Sequence, residues 1–386
     1  MLSGYTRAMK PGFRIAIVGG GPGGLTLARL LSLGGIDAVV YERDAHPLER
    51  PQGGTLDLHE ESGLLALARA GLTDAFLAVA RYEDQGSRLL DRTGRVLFDD
   101  DGIGGNRPEV DRTALRALLL DALPPGAVQW GRTVREVLMA PDGRATLVFE
   151  HGTEGPFDLV VGADGAWSRL RPLLSPYQPQ YSGLTFIEFG IDDIDRRHPA
   201  LSRLVGRGKV GVFGGGKAII AQRNGHAHVR GYAIFRVPLD WVAQRFDFAS
   251  PDAMRAALVA EFDGCADAIH DLFRASGDRF ANRPIVALPV GHCWAHRRGV
   301  TLIGDAAHVM SPFGGEGVNN AMRDAAELAA GLIAHADRDA AVAAFEQQMF
   351  VRVTESAREA ADAAATQLSH DAEALALARY RALHAA

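Results

Sequence analysis

Apolar runs and helical periodicity alternate at the start of the chain. Residues 14–18 form an apolar run that enters a glycine-rich turn, residues 25–33 carry apolar side chains at helical spacing, and residues 37–41 form a second apolar run. A strand, a helix and a strand within about 30 residues predict a parallel βαβ unit with a right-handed crossover. The chain therefore begins as an α/β fold.

The pattern up to residue 180 adds hairpins and one clear helix. Thr93-Gly94 and Pro141-Asp142-Gly143 each separate two β runs, which predicts two hairpins. Residues 112–123 have the periodicity of an amphipathic helix, with Asp111 as its N-cap and two prolines at its end. Residues 157–161 are apolar throughout and predict a buried strand that leads into another glycine turn.

The pattern of apolar and polar residues changes near residue 181. Four β-rich segments broken by glycines follow, then a helix near Pro251–Glu261, and together they predict an inserted domain with a mixed or antiparallel sheet. The remaining chain gives a short strand at residues 299–303 and alanine-rich helices, which we place at 319–333, 340–350 and 353–368.

These elements predict three parts. The first is a discontinuous Rossmann-like nucleotide-binding domain with a parallel sheet, over 12–180 and 280–335. A substrate-binding domain over 181–279 interrupts it, and C-terminal helices over 336–386 complete the chain. A length of 386 residues supports more than one domain, because single cores stop growing at about 250–300 residues.

Composition narrows the functional classes. With 47% apolar and 23% charged residues the chain is of ordinary globular composition, and two cysteines exclude a disulfide framework. A net charge of −6 with scattered arginines argues against a nucleic-acid surface. No apolar stretch approaches the ~20 residues of a membrane span, and no signal peptide precedes the first strand. We therefore expect a cytoplasmic protein that does not bind membranes, and a monomer.

The first glycine motif carries the strongest chemical signal. Gly19-x-Gly21-x-x-Gly24 follows a predicted strand and opens a predicted helix, and Glu42 ends the next strand 18 residues beyond Gly24. Glycines here allow a tight turn and close approach of a pyrophosphate, and a carboxylate at that later position accepts hydrogen bonds from ribose hydroxyls. The alternative is a glycine turn that binds nothing. The context favours a dinucleotide site.

Two later glycine turns extend this prediction. Asp164-Gly165 follows the buried strand, where a strand-to-helix turn without a ligand is an equal alternative. Asp305 ends another strand within Gly304-Asp305-Ala306-Ala307-His308, and a glycine loop from residue 311 leads into a long helix. The N-terminus of that helix suits the anion that a flavin becomes on reduction. We expect a structural role for His308 and no metal site, since no second ligand lies at metal-binding spacing.

Nucleophile and nucleotide-hydrolysis motifs are absent from the sequence. It contains no Gly-x-Ser-x-Gly, no His-Glu-x-x-His and no Gly-x-x-x-x-Gly-Lys-Ser/Thr. Hydrolase and NTPase activities therefore have no residues to support them.

The three glycine turns in this order resemble the single-component flavoprotein hydroxylases of the para-hydroxybenzoate hydroxylase type. The resemblance spans residues 13–350. It is closest to the tetracycline-inactivating flavin monooxygenases (tetracycline destructases), through strings that the chain holds in common with them: Gly53-Gly54-Thr55-Leu56-Asp57-Leu58-His59, Pro108-Glu109-Val110-Asp111-Arg112-x-x-Leu115-Arg116, Ile303-Gly304-Asp305-Ala306-Ala307-His308 and Phe345-Glu346-Gln347-Gln348-Met349-Phe350.

This resemblance implies an FAD- and NADPH-dependent monooxygenase. NADPH would reduce the flavin, O2 would add at C4a, and the hydroperoxide would transfer one oxygen to an aromatic or polycyclic small molecule, tetracycline-like molecules included. No protein side chain would act as a catalytic group. Arg50 corresponds to a position that touches NADPH. Together with the motifs, the resemblance places FAD at Gly19, Gly21, Gly24, Glu42, Arg43, Asp57, Arg112, Asp164, Asp305, Pro312, Gly315, Gly317, Val318 and Asn319.

The substrate pocket is where the chain departs from the tetracycline enzymes, which carry Gln, Arg, His and Gly where this chain has Glu188, Lys209, Arg230 and Tyr232. Tyrosine in place of glycine fills space that a four-ring substrate needs, so we expect a different phenolic or polycyclic substrate. A solvated sheet face is the alternative for the charged positions. The candidate substrate residues are Glu188, Lys209, Phe213, Arg230, Tyr232, Pro312, Phe313 and Gly314.

Two other functions remain open from the sequence. A flavin-dependent halogenase is expected to carry a Trp-x-Trp-x-x-Pro segment, whereas the four tryptophans of this chain are isolated from one another. A flavin-fold protein that sequesters a ligand without turnover is the other, since no acid–base pair distinguishes the two cases.

Overall fold

The structure is a computed structural model that describes residues 12–49 and 53–383. Arg50, the predicted NADPH contact, lies outside the described residues. The strands are β1 (Ile15–Val18), β2 (Ala38–Tyr41), β3 (Thr55–Asp57), β4 (Gly86–Leu90), β5 (Val96–Asp100), β6 (Glu109–Asp111), β7 (Val128–Gln129), β8 (Glu136–Met139), β9 (Ala145–Val148), β10 (Thr153–Phe157), β11 (Leu159–Gly162), β12 (Gln180–Ile191), β13 (Gly208–Gly214), β14 (Lys217–Arg223), β15 (Val229–Arg236), β16 (Ala281–Ala287) and β17 (Val300–Leu302).

Helices connect and cover these strands. They are α1 (Pro22–Leu33), α2 (Leu65–Arg69), α3 (Thr73–Leu77), α4 (Arg112–Asp121), α5 (Ile194–Arg197), α6 (Pro199–Val205), α7 (Trp241–Arg245), α8 (Pro251–Glu261), α9 (Asp267–Arg274), α10 (Asp305–His308), α11 (Glu316–Ala334), α12 (Arg338–Gln367) and α13 (Ala372–Leu383). A π-helical turn at Glu60–Leu64 leads directly into α2, and 3-10 turns lie at Tyr82–Asp84, Arg171–Leu173 and Pro312–Gly314. None of the helices in the described ranges is long and apolar enough to cross a membrane.

A five-stranded parallel sheet forms the centre of the nucleotide-binding part. Its order is β17-β11-β1-β2-β7, and β1 pairs in parallel with both β2 and β11. The central strands are apolar throughout and buried on both sides, as parallel sheets covered by helices require. The predicted βαβ unit is confirmed, and with it the α/β fold class. The predicted hairpin around Pro141 is also confirmed, as β8 and β9 of a three-stranded sheet with β10.

The second large sheet has seven strands in the order β16-β12-β15-β14-β13-β4-β5. It is antiparallel except where β13 runs parallel to β4, so the predicted mixed sheet is confirmed. The predicted hairpin around Thr93-Gly94 forms β4 and β5, which extend this sheet, as does β16. The sheet thus includes chain on both sides of the 181–279 segment, and the predicted domain boundaries stay a prediction.

Alternation along the strands gives this sheet two different faces. One face carries Ile187, Val212, Ile219 and Phe235 and packs against α6 to α9 in a closed apolar core. The other face carries Phe186, Phe213 and Ile234, together with the alanines of α12 and α13. Glu188, Lys209, Arg230 and Tyr232 lie on this second face, since they are an even number of residues from its apolar members. We call it the polar face.

One prediction about the helices was wrong, and the predicted N-cap residue of α4 is confirmed in position. Residues 340–350 and 353–368, predicted as two helices, form one continuous helix, α12, because nothing between Phe350 and Val353 breaks the helical pattern. Asp111 occupies the N-cap position of α4, but its side chain does not cap the helix. Its carboxylate instead accepts the backbone N–H of Gly225 and pairs with Arg81 at 2.9 Å, which joins β6 to the loop between β14 and β15.

Candidate cofactor and substrate site

The first glycine turn has no room for side chains at two of the three glycines of the motif. Gly19 has φ +111°, and a Cβ there would lie 2.2 Å from the carbonyl oxygen of Ala163. A Cβ on Gly24 would lie 2.1 Å from the carbonyl oxygen of Gly19. A Cβ on Gly21, in contrast, would meet no protein atom within 4 Å. The chain therefore needs Gly19 and Gly24 for its own packing, whereas Gly21 leaves an open space in front of the N-terminus of α1.

Glu42 closes this turn from the end of β2. Its carboxylate accepts the backbone N–H of Gly20 at 2.6 Å and that of Asp44 at 3.0 Å. Arg116 of α4 pairs with Asp44 at 3.0 Å and donates to the carbonyl oxygen of Gly20 at 3.2 Å. Arg43 is exposed beside these buried groups. Arg116, which the sequence analysis named within a family string but gave no role, thus holds the turn and the two acidic residues together.

The second glycine turn contacts the first and holds a buried polar atom without a partner. One oxygen of Asp164 accepts the backbone N–H of Arg169 at 2.7 Å, but the other is buried without a hydrogen-bond partner among the described residues. Burial raises the pKa of Asp164. Arg171 is fully buried and donates to the carbonyl oxygens of Ala306 and Asp305, at 2.8 and 3.1 Å. This arginine ties the second turn to the third.

A buried ion pair holds the third turn. Asp324 of α11 is 0% exposed and accepts the backbone N–H of Gly304 at 2.8 Å and a hydrogen bond from His308 at 2.7 Å. Its other oxygen accepts a hydrogen bond from Arg352 of α12 at 2.7 Å. Burial alone would raise the pKa of Asp324, but His308 and Arg352 outweigh it and lower the pKa. Gly304 has φ +60°, so this network fixes a glycine-type backbone that exposes the carboxylate of Asp305.

The sequence reasoning missed Asp324 and Arg352, although a signal was present. Asn320 and Asp324 are four residues apart on an alanine-rich helix and therefore share a face. Arg352 bonds both, with 2.7 Å to the oxygen of Asn320. A polar pair at this spacing among small apolar residues is a specific indication of a buried network.

The loop before α11 lies between the glycine turns and the polar face. Phe313 packs its ring 5.6 Å from that of Phe186 on β12. A Cβ on Gly314 would lie 3.7 Å from Ala360 of α12, and Gly315 has φ +73° beside Asp57. Pro312 is exposed, whereas Gly317 and Val318 stand in the first turn of α11, whose backbone N–H groups have no acceptor within the helix.

The side chain of Asn319 forms hydrogen bonds with other residues of the protein. Its side chain is 0% exposed, donates to the carbonyl oxygen of Asp57 at 3.0 Å and accepts the backbone N–H of His59 at 3.0 Å. Asn319 therefore joins α11 to the β3 segment. The amide group of this predicted cofactor residue is therefore engaged by the protein itself.

His59 sits between two carboxylates at this junction. It is 1% exposed, with Nε2 3.2 Å from Asp57 and Nδ1 3.4 Å from Glu316. Burial alone would lower its pKa, but the hydrogen bonds and charges of Asp57 and Glu316 outweigh burial and raise the pKa to about 9. His59 is therefore a buried cation at neutral pH. It links β3 to the first residue of α11.

Glu109 of β6 is a second buried titrating group. It accepts hydrogen bonds from Thr55 at 2.7 Å and from Gln222 of the polar face at 2.8 Å. Burial and the charge of Asp57 raise its pKa to about 7, against the opposing hydrogen bond of Thr55 and charge of Lys209. Lys209 on β13 lies directly opposite Gln222 on β14.

The charged residues of the polar face are partly paired. Arg230 donates to Glu188 at 2.8 Å, and Arg283 of β16 donates to the other oxygen of Glu188 at 3.1 Å. Tyr232 stands opposite Glu188 in the sheet, with its ring 5.8 Å from Phe186. Phe213 is 2% exposed and belongs to the apolar cluster with the alanines of α12 and α13. The structure thus brings the predicted substrate residues to one face, with Phe213 in its core.

These residues fit an extended phosphate-bearing cofactor. The open space at Gly21, the unpartnered oxygen of Asp164 and the exposed carboxylate of Asp305 all lie at turns that contact one another. A Cβ on Gly23 would lie 3.0 Å, and one on Gly304 2.9 Å, from atoms of the same residue, Ala321. Arg112 is exposed, with its Cδ 3.2 Å from where a Cβ on Gly53 would stand. The turns lie at the carboxyl ends of the parallel strands, where such folds bind ligands.

A protein-family model described as an FAD binding domain matches residues 13–240 and 289–356, most of the chain. The chain belongs to this family. The prediction of a single-component FAD hydroxylase type is thereby confirmed. The monooxygenase penA of Penicillium thymicola is 33% identical over 364 residues, covering 82% of this chain and 84% of that protein. The 3-amino-4-hydroxybenzoate 2-monooxygenase PtnB3 of Streptomyces platensis is 31% identical over 370 residues, covering 89% and 85%.

Two solved structures share the fold of this chain. Klebsiella pneumoniae HpxO, complexed with FAD and uric acid, has a TM-score of 0.80 at 24% identity and covers 96% of this chain and 92% of its own. The tetracycline destructase Tet(55) has a TM-score of 0.71 at 20% identity, with coverages of 94% and 92%. The family, its FAD cofactor and the relatives' monooxygenase names together identify an FAD-dependent oxidoreductase.

Proposed function

We propose that the protein is a monooxygenase that uses FAD, NADPH and O2 to hydroxylate an aromatic or polycyclic small molecule. The observation that carries the proposal is the meeting of three glycine turns with the polar face, through the loop at Phe313. The backbone that we propose binds the cofactor lies on one side of this loop, and aromatic and charged side chains lie on the other. The monooxygenase relatives PtnB3 and penA support the reaction class.

The protein groups would position the reactants rather than react. Bound FAD would supply the redox chemistry, taking a hydride from NADPH and activating O2. Glu42 would accept the adenosine ribose hydroxyls, and Gly21 and the first turn of α1 would receive the pyrophosphate. Asp305 would bind the ribityl hydroxyls, and the first-turn amides of α11 at Gly317 and Val318 would face the pyrimidine edge of the flavin. Arg43, Arg112 and Asp164 would lie along the cofactor.

The polar face would orient the substrate and exclude water. Phe186, Tyr232 and Phe313 form an aromatic wall next to the flavin-facing loop. A wall of this kind suits the flat face of an aromatic ring. Tyr232 occupies the position where the tetracycline enzymes carry glycine, which favours a substrate smaller than a four-ring tetracycline.

Reconstitution tests the proposal. The purified protein should take up one FAD, oxidise NADPH faster when a substrate is present, and incorporate one atom of 18O from labelled O2 into the product. Protein that remains colourless after incubation with FAD would refute the proposed function. Ligand binding without NADPH consumption or product would favour the sequestering protein instead.

Two carboxylate variants test the cofactor assignment. Glu42→Ala and Asp305→Ala should each weaken FAD binding by about tenfold or more, because each removes charge-assisted hydrogen bonds to hydroxyls. Asp337→Ala is the control, because Asp337 caps α12 and belongs neither to the glycine turns nor to the polar face. FAD affinity unchanged in both variants, measured by flavin fluorescence, would show the assignment to be wrong.

A further inference from the structure

A cavity of about 170 Å³ lies between α12 and one end of the seven-stranded sheet. Its sheet wall includes Leu184 and Arg236, which stand opposite one another on β12 and β15. Arg236 donates to the carbonyl oxygen of Ala364 on α12 at 3.0 Å and so joins the two walls. Met310 and Ser311 form the inner end. The cavity is thus bounded by the sheet, by α12 and by the loop before α11.

The lining of this cavity is mostly small and apolar. Helix α12 contributes Ala357, Ala361, Ala364 and Ala365, whose spacing places them on one side of the helix. Leu288 adds an apolar side chain from the chain that follows β16. An apolar cavity of about 150 Å³ remains dry and takes guests such as xenon or benzene. The cavity therefore suits a small uncharged guest better than water.

The inner end of the cavity adjoins the loop that we propose faces the flavin. Met310 and Ser311 come directly before the turn at Pro312–Gly314. Ser311 is 9% exposed, and its Oγ has no hydrogen-bond partner in the described chain, so the protein leaves this end without a group of its own to fill it. Met310 has an unbranched, flexible side chain that adapts to a passing guest at little cost. A small molecule in the cavity is therefore one or two residues from the proposed flavin site.

An aromatic pair separates the cavity from the charged part of the polar face. Leu184 lines the cavity, Phe186 two residues further along β12 does not, and Glu188 follows after two more. The ring of Phe313 packs on Phe186 at 5.6 Å. A substrate on the polar face would have to displace this pair to extend into the cavity, whereas a diatomic molecule passes through gaps that side-chain motion opens. The cavity therefore fits a separate, smaller reactant.

We propose that this cavity is the main entry for O2, which passes between α12 and the exposed Val290 and reaches the flavin-facing loop at Met310. The proposal rests on the proposed function in one respect, that O2 is a reactant. O2 is small and uncharged, so it partitions into apolar space rather than into the hydrated surroundings of Lys209 and Arg230. A separate opening also admits O2 while a substrate covers the polar face.

Xenon tests the cavity without any need for turnover. Crystals of the FAD-loaded protein are pressurised with xenon, and the protein in solution is titrated by xenon NMR. We expect one xenon atom between Met310 and Ala361. Ala361→Phe should abolish this binding, because its ring occupies the opening. Ala344→Phe is the matched control, since Ala344 is also an exposed alanine of α12 but does not line the cavity, and it should bind xenon normally.

The reaction with O2 tests the route. FAD-loaded protein is photoreduced without oxygen and mixed with buffers of increasing O2 concentration, and the flavin absorbance gives a second-order rate constant. Ala361→Phe should lower this constant about threefold or more, because it narrows the main path of association, with FAD affinity and the anaerobic rate of reduction by NADPH unchanged. Ala357→Leu, from the wall of the cavity, should lower it in the same direction. Ala344→Phe should leave all three quantities unchanged.

Specific outcomes overturn the proposal. No xenon in the cavity of the unmodified protein would refute a site for an apolar guest. Bound xenon with equal O2 rate constants in the Ala361 and Ala344 variants would show that O2 enters elsewhere. A fall in the rate of reduction by NADPH equal to the fall in the O2 rate constant would assign the effect to a displaced flavin-facing loop. Failure of the proposed function differs from all of these, since FAD would not be retained or NADPH not oxidised while xenon binding stayed as described.

Discussion

The three glycine turns and the polar face are both proposed sites for small molecules, but the turns are made of backbone groups and the polar face of side chains. The turns consist of backbone, and their few side chains, such as Glu42 and Asp324, hold backbone amides in place. The polar face consists of long side chains, Lys209 and Arg230 among them, because its backbone N–H and C=O groups are hydrogen-bonded between the strands. Backbone sites constrain residue type strictly, whereas side-chain sites depend on which strand faces which.

The largest effect that would test this contrast is expected at the first glycine turn. Gly21→Ala should reduce FAD affinity by about 100-fold or more, because its Cβ enters the space proposed for the pyrophosphate, and it should leave the Tm of the apoprotein unchanged. Gly24→Ala should instead destabilise the apoprotein, since its Cβ meets a backbone oxygen at 2.1 Å. Fluorescence titration and thermal denaturation separate the two. A Gly21→Ala protein that binds FAD normally would contradict the ligand role.

Asp324 and Glu346 offer a second test, as two fully buried carboxylates that bond groups on other elements. Glu346 accepts hydrogen bonds from Trp294, Thr301 and His296, and in the described structure it forms none with Gly304. Asp324→Asn should weaken FAD binding by about tenfold, because it loosens the turn that carries Asp305, and Glu346→Gln should lower the Tm without a comparable loss of affinity. If both variants lose FAD in proportion to their Tm, Asp324 has no positioning role.

The pH dependence of stability tests the role of His59, which lies at the junction between the two regions. Its pKa is higher in the folded protein, about 9, than the usual 6.5, so its contribution is complete below pH 6.5 and is lost as pH rises through 9. The expected loss is on the order of 3 kcal/mol in the free energy of unfolding. His59→Gln should remove this part of the decline between pH 6.5 and 9, measured by denaturation at each pH. The same slope in both proteins would show that His59 does not titrate as described.

The smallest expected effect is at Glu188. Glu188→Gln leaves Arg230 and Arg283 without their shared counter-charge. The free energy of unfolding should fall by about 1 kcal/mol, as for partly exposed pairs. Chemical denaturation measures the effect. An unchanged free energy of unfolding would show that the two ion pairs do not stabilise the polar face.

The difference between backbone and side-chain sites also explains what the sequence could predict. Gly19, Gly24 and Gly304 were found because a tight approach or a positive φ admits glycine alone. Asp324 and Arg352 were missed because their partners lie on other elements, 20 and 48 residues from Gly304 in the sequence. Lys209, Arg230 and Tyr232 were found through a resemblance, but which face they share, and that β4 and β5 extend their sheet, depends on strand pairing that periodicity does not give.

The continuity of α12 limits how the chain can change over evolution. Along this one helix Arg352 contacts Asp324, Ala360 lies beside Gly314, and the carbonyl oxygen of Ala364 accepts a hydrogen bond from Arg236. One inserted residue would rotate everything beyond it by about 100° and shift it by about 1.5 Å. An insertion between Arg352 and Ala360 would therefore break contacts at one end or the other. Surface loops can vary in length freely, but this segment should keep its residue count fixed in any descendant that retains both sites.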